Sequence, residues 1–465
     1  MGGNKLHTEV PLKGGVDQKP PHSHFPGFNY KHVLIVLLVA LIARFSFMAF
    51  MPTKVRSTDT ASWENAVAVL DAGQNPYRET PVLNWPPLWL QLIYLMSRVS
   101  ITLDVPFFRV LQTFLTCADA LVILVLFHVI RQIAPQVRPL VPILLGIALN
   151  PAVILLTCQH GNFDVIVALW VLLFVSQLVE YNQSKNSLDW LAACVFLGLG
   201  ILTKTVPLAL CPMLAGGLRR VAWKFKWLGL ALVFGPVALG MSVIYVLAPE
   251  DVLTKVLAYR SINRMFGISG LLNLAGAENR IGLSDVIFYL LLTTGGILVA
   301  IQFWRREKLQ ARAIALCAAL FLAAIPGLGP GYSPTYIYWF LPLLIISGLL
   351  YRGFWRWAVV VFLGIAATTY LVEYALYPSH GMYLIHILFP TPSEATEVYQ
   401  FPADYPKMDQ LKEWIERVHI MYSRQGQILT RMPLFICYLA ILVNGIWLFA
   451  RDLRAENRPR CLHLP

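Results

Sequence analysis

An isolated carboxylate, Asp59, is the strongest candidate for a general base in this chain. It opens the segment TDTASWENAVAVLDAGQNPY, which follows the first long hydrophobic run and must therefore lie where that run leaves a membrane. Trp63, Val67 and Leu70 form an apolar stripe at helical spacing, and Gly73 is a stop signal. The pattern predicts an amphipathic surface helix with an acid in its first turn. That acid could take a proton from an attacking hydroxyl, or it could simply cap the helix.

A second polar group lies in the segment LNPAVILLTCQHGNFD, at the head of a later hydrophobic run. Asp164 on its own could be a helix cap, which is worth about 1 kcal/mol and is favoured by the helix dipole. The turn at 159–164 nevertheless holds more polar groups than one cap needs. We therefore predict that Gln159, His160 and Asp164 bind a sugar or an acceptor.

Three cations could supply the opposite charge. Lys204 stands between two apolar runs, and Arg260 and Arg264 lie in a loop on the same side. A bare ammonium is costly there unless it snorkels to the interface or meets an anion, and either arginine could instead contact lipid headgroups. We predict that all three bind a phosphate. Cations would then stabilise charge on a leaving lipid phosphate, while a carboxylate takes the proton from the attacking hydroxyl.

Other acids suggest structure or, less strongly, metal binding. Arg44 and Asp119 fall near the middle of the first two hydrophobic spans, where a structural ion pair would remove two isolated charges. Asp59 and Asp164 could hold a divalent metal, but neither belongs to a DxD or ExxE pair. We predict no metal and no other cofactor, with metal dependence as the less favoured alternative.

The composition requires these residues to sit in a membrane protein. Of 465 residues, 57% are hydrophobic and 13% are charged, where soluble domains carry roughly 25% charged residues. Several apolar runs approach the roughly 20 residues that a membrane-spanning helix needs, and they lack the alternation of barrel strands. The net charge of +12 does not indicate nucleic acid, because Lys and Arg cluster between the runs. The seven cysteines form neither a disulfide framework nor a CxxC metal site.

The hydrophobic runs predict an all-α polytopic membrane protein with both termini in the cytoplasm, since most basic residues then lie in inner loops. The predicted domains are a disordered cytoplasmic tail (1–32), a transmembrane domain (33–450) and a C-terminal cytoplasmic tail (451–465). We predict about twelve spans, at 33–51, 107–130, 140–158, 164–181, 188–203, 205–218, 227–248, 285–304, 312–327, 335–350, 355–376 and 433–450.

The outer segments then share the face that carries Asp59. In the first one, 52–106, the run at 86–99 is too short to span and opens with two prolines, so we predict an in-plane or re-entrant helix. The long outer loop 377–432 contains a predicted amphipathic helix that caps this face. Tyr332 and Tyr336 could line a sugar pocket, although a place in the interfacial aromatic belt is the simpler explanation.

Several of these motifs occur together in a known superfamily. The chain has D-x-x-x-[YW]-x-x-A beginning at Asp59, a GxNPY turn at 73–77 and PPL at 86–88. LNPAVILLTCQHGNFD, GLGILTKTVPLALCP and GPGYSPTYIYWFLPLL follow in that order. Over residues 33–350 the chain resembles the GT-C superfamily of membrane glycosyltransferases. Within that superfamily it is similar to the bacterial mannosyltransferases that depend on polyprenol phosphate mannose, and to their relatives.

The resemblance implies that Asp59 is the catalytic base and that the two short helices of the first outer loop are peripheral jaw helices. It also implies transfer, with inversion, from a lipid-linked monophosphate sugar without a tightly held metal. Trp63 stands where a tyrosine is common in the family, and Thr60 directly follows the acid. Both departures leave the base in place and bear on the acceptor.

The sequence therefore predicts a glycosyltransferase that moves a sugar, expected to be mannose, from a polyprenyl-phosphate donor to a lipid-linked or glycan acceptor on the non-cytoplasmic face. Its partners would be this donor, the acceptor and membrane lipids. A transporter or lipid flippase is one alternative, and an oligosaccharide ligase with a diphosphate donor is another. The predicted external loops lack an Asn-x-Ser/Thr sequon, which favours a bacterial plasma membrane over the endoplasmic reticulum.

Overall fold

The structure, a computed structural model, describes residues 30–50, 58–80, 83–133, 140–257, 266–351, 353–376 and 424–456. In these ranges the chain forms helices joined by turns, without a strand. The α-helices are α1 (Tyr30–Phe50), α2 (Thr58–Asp71), α3 (Pro76–Glu79), α4 (Pro87–Leu103), α5 (Phe107–Ile133), α6 (Leu140–Ala148), α7 (Pro151–Ile154), α8 (Asp164–Ser184), α9 (Ser187–Thr203), α10 (Ala215–Arg220), α11 (Trp223–Leu247), α12 (Pro249–Asp251), α13 (Gly267–Leu274), α14 (Ile281–Arg305), α15 (Ala311–Leu328), α16 (Leu341–Leu350), α17 (Phe354–Leu376) and α18 (Arg424–Glu456). Two π-helices (Leu155–His160 and Val252–Leu257) and three 3-10 helices (Val206–Leu214, Glu278–Arg280 and Pro334–Trp339) lie between them.

The apolar helices make this an all-α integral membrane protein. Within the described residues, eight helices are long and apolar enough to cross a membrane: α1, α5, α8, α11, α14, α15, α17 and α18. A bent pair formed by α6 and the α7 segment is a ninth candidate, while α9 and α16 are shorter apolar helices. The span predicted at 205–218 is a 3-10 helix followed by the short α10. The total of twelve spans stays a prediction.

Helix α8 is the centre of the bundle, and it packs on α5 and α9. Its most apolar stretch is 78% buried, whereas the corresponding stretch of α11 is only 11% buried. Both helices are hydrophobic all round, so composition alone does not separate the central helix from the peripheral one. The outward side chains of α11 and α14 suit a lipid environment, because lipid replaces water as their solvent.

The span predicted at 140–158 is a broken helix rather than a straight one. Pro151 lacks the N–H of a helix interior and disfavours helical geometry at the preceding Asn150, whose φ and ψ are −62° and 119°. The Asn150 side chain accepts a hydrogen bond from the Ala152 N–H and caps the next segment. The two halves meet at 46°, and the second half ends in the π-helix that carries His160.

The segment predicted to be the first outer one, 52–106, contains α2, α3 and α4. The segment predicted as a helix at 86–99 is α4, which extends to Leu103. Arg98 Nη2 on α4 donates to both carboxylate oxygens of Asp71 on α2, at 2.7 and 2.6 Å, and the two side chains form an ion pair. Lys255 Nζ donates to the backbone oxygens of Tyr77 and Thr80 at 3.0 and 3.1 Å. The segment is thus tied both within itself and to the π-helix that follows α12.

The termini and the long loop extend past the described residues. The tail predicted at 1–32 is described only from Tyr30, where α1 begins, and α18 continues to Glu456, beyond the predicted boundary at 450. Most of the 377–432 loop, including its predicted amphipathic helix, lies outside the described residues.

Candidate active site

Asp59 lies in the first turn of α2, as the sequence pattern predicts. The helix forms because Trp63 and Val67 point into the core, where they are almost fully buried. It ends at Asp71, and Gly73 follows with φ of +70°, a conformation that glycine adopts at little cost. The Asp59 side chain remains 35% exposed. Its helix is therefore anchored while its carboxylate stays accessible.

The aromatic side chains beneath Asp59 fix α2 against the bundle. Trp63 lies edge-on to Trp85, Trp89 and Phe163 at centroid distances of 5.7, 5.0 and 5.9 Å. Trp89 and Phe163 are stacked at 4.4 Å. Such pairs each contribute about 0.5–1.5 kcal/mol beyond their buried area. The cluster joins α2 and α4 to Phe163, which belongs to the polar turn at 159–164.

The polar turn at 159–164 faces Asp59. It begins in the π-helix, and Gly161 then reverses the chain with φ of +67°. His160 Nε2 lies 3.1 Å from Asp59 Oδ2, and the Asn162 side-chain amide donates to the same oxygen at 3.2 Å. Since an ionised carboxylate can only accept hydrogen bonds, this contact requires a proton on His160 Nε2. Gln159 is buried in the π-helix beside His160.

Asn162 connects the two acids of the site. Its Oδ1 accepts from the Asp164 N–H at 2.8 Å while its Nδ2 donates to Asp59. Those opposite roles fix the orientation of its amide group. Asn162, which precedes the N-cap residue Phe163, therefore satisfies the first backbone N–H of α8. The alternative role considered for Asp164, a helix cap, does not describe its side chain, because Asp164 is the first residue of α8 and its carboxylate has another partner.

That partner is Lys204. Its Nζ lies 2.6 Å from Asp164 Oδ1, and the two side chains are 16% and 0% exposed. The ammonium also lies over three aromatic rings, 4.7 Å from the centroids of Tyr336 and Trp339 and 5.1 Å from that of Phe163. The contact with Asp164 neutralises much of the buried charge, and the ring faces add electrostatic attraction. A phosphate bound by Lys204 would have to share this ammonium with Asp164.

The two tyrosines of the predicted pocket are both buried. Tyr336 stacks on Trp339 at 4.0 Å beside Lys204. Tyr332 stacks on Phe266 at 3.9 Å, and the guanidinium of Arg431 lies 5.6 Å from its ring centroid. Tyr336 therefore adjoins the Asp164 and Lys204 pair, while Tyr332 belongs to a neighbouring aromatic cluster. The other predicted cations, Arg260 and Arg264, lie outside the described residues.

The predicted ion pair between Arg44 and Asp119 is present deep in the bundle. The Tyr338 hydroxyl also donates to Asp119. Arg44 Nη1 donates to the carbonyl oxygens of Ala148 and Ala40 at 2.7 and 3.1 Å. Ala148 ends α6, so this cation satisfies a carbonyl at the break of the bent span. The pair is a structural anchor for the segment that carries His160.

One buried tyrosine, Tyr77, holds two segments near the site together. Tyr77 on α3 is buried, and this burial raises the pKa of its phenol well above the ordinary value. The neutral hydroxyl donates to the Trp85 carbonyl at 2.8 Å. It thereby holds α3 against the segment that leads into α4.

Three residues of this arrangement were not among the predicted site residues: Asn162, Thr60 and Gln112. Thr60 Oγ1 donates to the His160 carbonyl at 3.4 Å, and Gln112 donates to that of Cys158. The sequence offers a signal for Asn162, which lies inside the polar turn, and for Gln112, a polar residue within a hydrophobic span. For Thr60 the signal is its position directly after Asp59, which the sequence resemblance to the superfamily relates to the acceptor. Among the described residues, no group of three or more His, Cys, Asp or Glu could hold a metal.

The chain matches no protein-family model, and no curated protein sequence matches it. The motifs of the sequence and the contacts around Asp59 are therefore the features that indicate a function. Those contacts comprise one accessible carboxylate, an imidazole and an amide that hold it, and a cation paired with a second acid nearby.

Proposed function

We propose that this protein is a membrane glycosyltransferase that moves a sugar, with mannose as the first candidate, from a polyprenyl phosphate to an acceptor hydroxyl. The observation that carries the proposal is the setting of Asp59. Its carboxylate is 35% exposed, yet two side chains from the turn at 159–164 hold one of its oxygens. A general base must be both accessible to its substrate and fixed in place.

The reaction would be a single displacement. The acceptor hydroxyl oxygen attacks the anomeric carbon, the bond from that carbon to the phosphate oxygen breaks, and the bonding electrons leave with polyprenyl phosphate. The hydroxyl proton passes to the Asp59 carboxylate. Attack opposite the leaving group inverts the anomeric configuration. The step involves no oxidation or reduction. The sugar passes from the donor to the acceptor oxygen and the proton passes from that oxygen to Asp59, so atoms and charges balance.

His160 and Asn162 would orient the base rather than replace it. Both donate to Asp59 Oδ2 and so fix the carboxylate plane relative to an incoming hydroxyl. Three residues remain candidates for the sugar pocket. They are Gln159 in this turn, Tyr336 beside Lys204, and Tyr332.

The donor phosphate would be stabilised by cations near the site. Lys204 is the described candidate, and its pairing with Asp164 would let the ammonium shift toward a phosphate while Asp164 keeps part of the contact. Arg260 and Arg264 are the further candidates, and they follow the π-helix at Val252–Leu257 in the chain.

We further propose the GT-C arrangement for the whole chain, with α2 and α4 as jaw helices on the non-cytoplasmic face and both termini in the cytoplasm. The aromatic cluster under α2 supports this arrangement, because it ties both helices to the turn that holds Asp59. A bacterial plasma membrane is the proposed location, with the endoplasmic reticulum as the alternative.

The test is transfer of radiolabelled mannose from polyprenyl phosphate mannose to octyl mannoside by purified protein in liposomes. Asp59→Asn should retain α2, because Asp59 lies within the first turn of the helix, where loss of its charge costs about 1 kcal/mol or less. It should lower kcat by about 10²-fold or more, since an amide cannot accept the proton. Asp71→Asn is the matched control, because Asp71 lies on the same helix and pairs with Arg98 at the surface.

Near-normal turnover by Asp59→Asn would remove Asp59 from the chemistry. Retention of anomeric configuration in the product would exclude a single displacement. If the wild-type protein transfers no sugar but moves the labelled lipid across the liposome bilayer, the transporter alternative replaces the enzyme.

A further inference from the structure

The π-helix that presents His160 ends inside the bundle, where its last carbonyl groups need partners. The final four carbonyls of a helix have no partner within it, and an apolar interior supplies no water to replace one. The Leu156 carbonyl receives the N–H groups of Gly161 and Asn162. The Cys158 and His160 carbonyls are instead met by side chains from two other helices.

Gln112 meets the Cys158 carbonyl. It lies on α5 and is fully buried, and its Nε2 donates to that oxygen. A glutamine within a hydrophobic span is costly to bury unless its amide is used. Both groups of this amide form hydrogen bonds, because its oxygen Oε1 also accepts from Arg109 Nη1 at 2.9 Å. The arginine thereby fixes which end of the amide faces the π-helix.

Arg109 is itself anchored, since its Nη1 also donates to the Met48 carbonyl on α1 at 2.6 Å. The order of contacts therefore runs from α1 through Arg109 and Gln112 to the π-helix. Two residues after Cys158, His160 contacts Asp59. From another helix, α2, the Thr60 hydroxyl donates to the His160 carbonyl at 3.4 Å. The last turn of the π-helix therefore receives hydrogen bonds from both α5 and α2.

We propose that Gln112, oriented by Arg109, is a positioning residue that sets His160 and Asn162 against Asp59. The expected effect of Gln112 on turnover rests on the proposed function, whereas its expected effect on the position of His160 does not. A π-helix is rare, occurs mostly as a single turn within an α-helix, and is frequently found at functional sites. Loss of the Gln112 donor leaves the Cys158 carbonyl without its partner in the apolar interior. The turn then gains by returning toward α-helical bonding, which rotates His160 away from Asp59.

The test compares Gln112→Met with Gln132→Met. Methionine keeps the length and bulk of glutamine and removes its hydrogen bonds. Gln132 lies on the same helix, and its Nε2 donates to the Ser176 carbonyl of α8 at 3.5 Å, away from the site. We expect Gln112→Met to lower kcat at least tenfold with KM changed less than twofold, and Gln132→Met to leave both within twofold. Because only Gln112→Met leaves a fully buried carbonyl without its donor, its thermal unfolding temperature should fall further than that of Gln132→Met, and kcat is therefore compared per folded molecule.

A third variant supplies a pH profile. Gln112→Glu keeps an acceptor for Arg109, but when ionised it cannot donate to the Cys158 carbonyl. Protonation restores the donor, so the activity of Gln112→Glu relative to wild type should rise as the pH falls. A residue that merely fills space would give a constant ratio.

A second readout works without turnover. Diethyl pyrocarbonate modifies accessible imidazoles, and mass spectrometry can follow His160 peptide by peptide. We expect His160 to be modified at least threefold faster in Gln112→Met than in wild type, with Gln132→Met unchanged. If kcat and the His160 rate both match the control, the positioning role is overturned. If wild-type protein transfers no sugar while the His160 rate still rises, the proposed function fails and the geometric inference stands.

Discussion

Two acids of this protein lie in opposite surroundings. Asp119 and Arg44 lie deep in the bundle and are 0% and 1% exposed. Asp59, which contacts His160, is 35% exposed. Tyr338 and the Ala148 carbonyl surround the deep pair, and both belong to the protein. Asp59 is partly exposed to solvent, so a substrate can reach it.

The difference separates a structural use of charge from a chemical one. A charge taken fully out of water must be met by fixed partners, and any substrate that approached it would have to displace one of them. A half-exposed carboxylate keeps room for a hydroxyl. The Asp164 and Lys204 pair lies between these extremes, because its acid is fully buried while its cation is 16% exposed. Access therefore decreases from Asp59 through Lys204 to Arg44.

The largest expected effect is that of breaking the deep pair. Asp119→Ala leaves Arg44 buried without its carboxylate, and such a change costs about 3–5 kcal/mol. Asp59→Ala removes only a charge in the first turn of a helix, worth about 1 kcal/mol or less. Thermal or denaturant unfolding in detergent should therefore show a large loss for Asp119→Ala and a small one for Asp59→Ala. Transfer activity per folded molecule should show the reverse order.

The double variant Arg44→Met with Asp119→Leu is the control for that comparison. Replacement of both charges by apolar groups is often neutral or stabilising. We expect it to recover most of the stability that Asp119→Ala loses. Equal losses in the single and double variants would show that the geometry of the Ala148 carbonyl, and not the lone charge, dominates.

The sequence predicted the regions that depend on local pattern. The helix at Asp59 follows from the spacing of its apolar residues, and the deep ion pair follows from two opposite charges at similar depths in neighbouring spans. The all-α membrane class follows from the length and composition of the hydrophobic runs. In each case one short segment, or one physical requirement such as charge neutralisation, is sufficient.

The remainder of the site depends on register between segments that lie far apart in the chain. Lys204 meets Asp164 across 40 positions, and Asn162 meets Asp59 across 103. A polar turn predicts that partners exist but does not say which side chain caps the helix and which one pairs with a cation. The break at Pro151 was open to prediction, because proline restricts the residue before it. The π-helix that follows depends on Gln112 and could not be read from its own residues.

Alanine substitution at Gly161 is expected to have a smaller effect, and comparison with Gly73 distinguishes the turn beside Asp59 from a turn away from it. Gly161 and Gly73 both have positive φ, at +67° and +70°, where a side chain costs roughly 1–2 kcal/mol. An alanine Cβ at 161 would also lie 3.3 Å from Thr60 Oγ1 and 3.4 Å from Phe108, whereas nothing lies within 4 Å at 73. We expect both alanine variants to lose about 1–2 kcal/mol of unfolding free energy. Only Gly161→Ala should also lower turnover, and equal activity in both variants would contradict the coupling of this turn to Asp59.

The smallest effect is expected at a third ion pair, which lies at the surface between α2 and α4. Asp71 and Arg98 are 40% and 41% exposed despite N–O distances of 2.6 and 2.7 Å. Exposed pairs contribute about 0.2–1 kcal/mol, and salt screens them. Arg98→Ala should therefore lower the unfolding free energy by about 0.5 kcal/mol at low salt, and the difference should shrink in 1 M NaCl. A loss as large as that of Asp119→Ala would mean that contact geometry, rather than burial, sets the value of an ion pair in this protein.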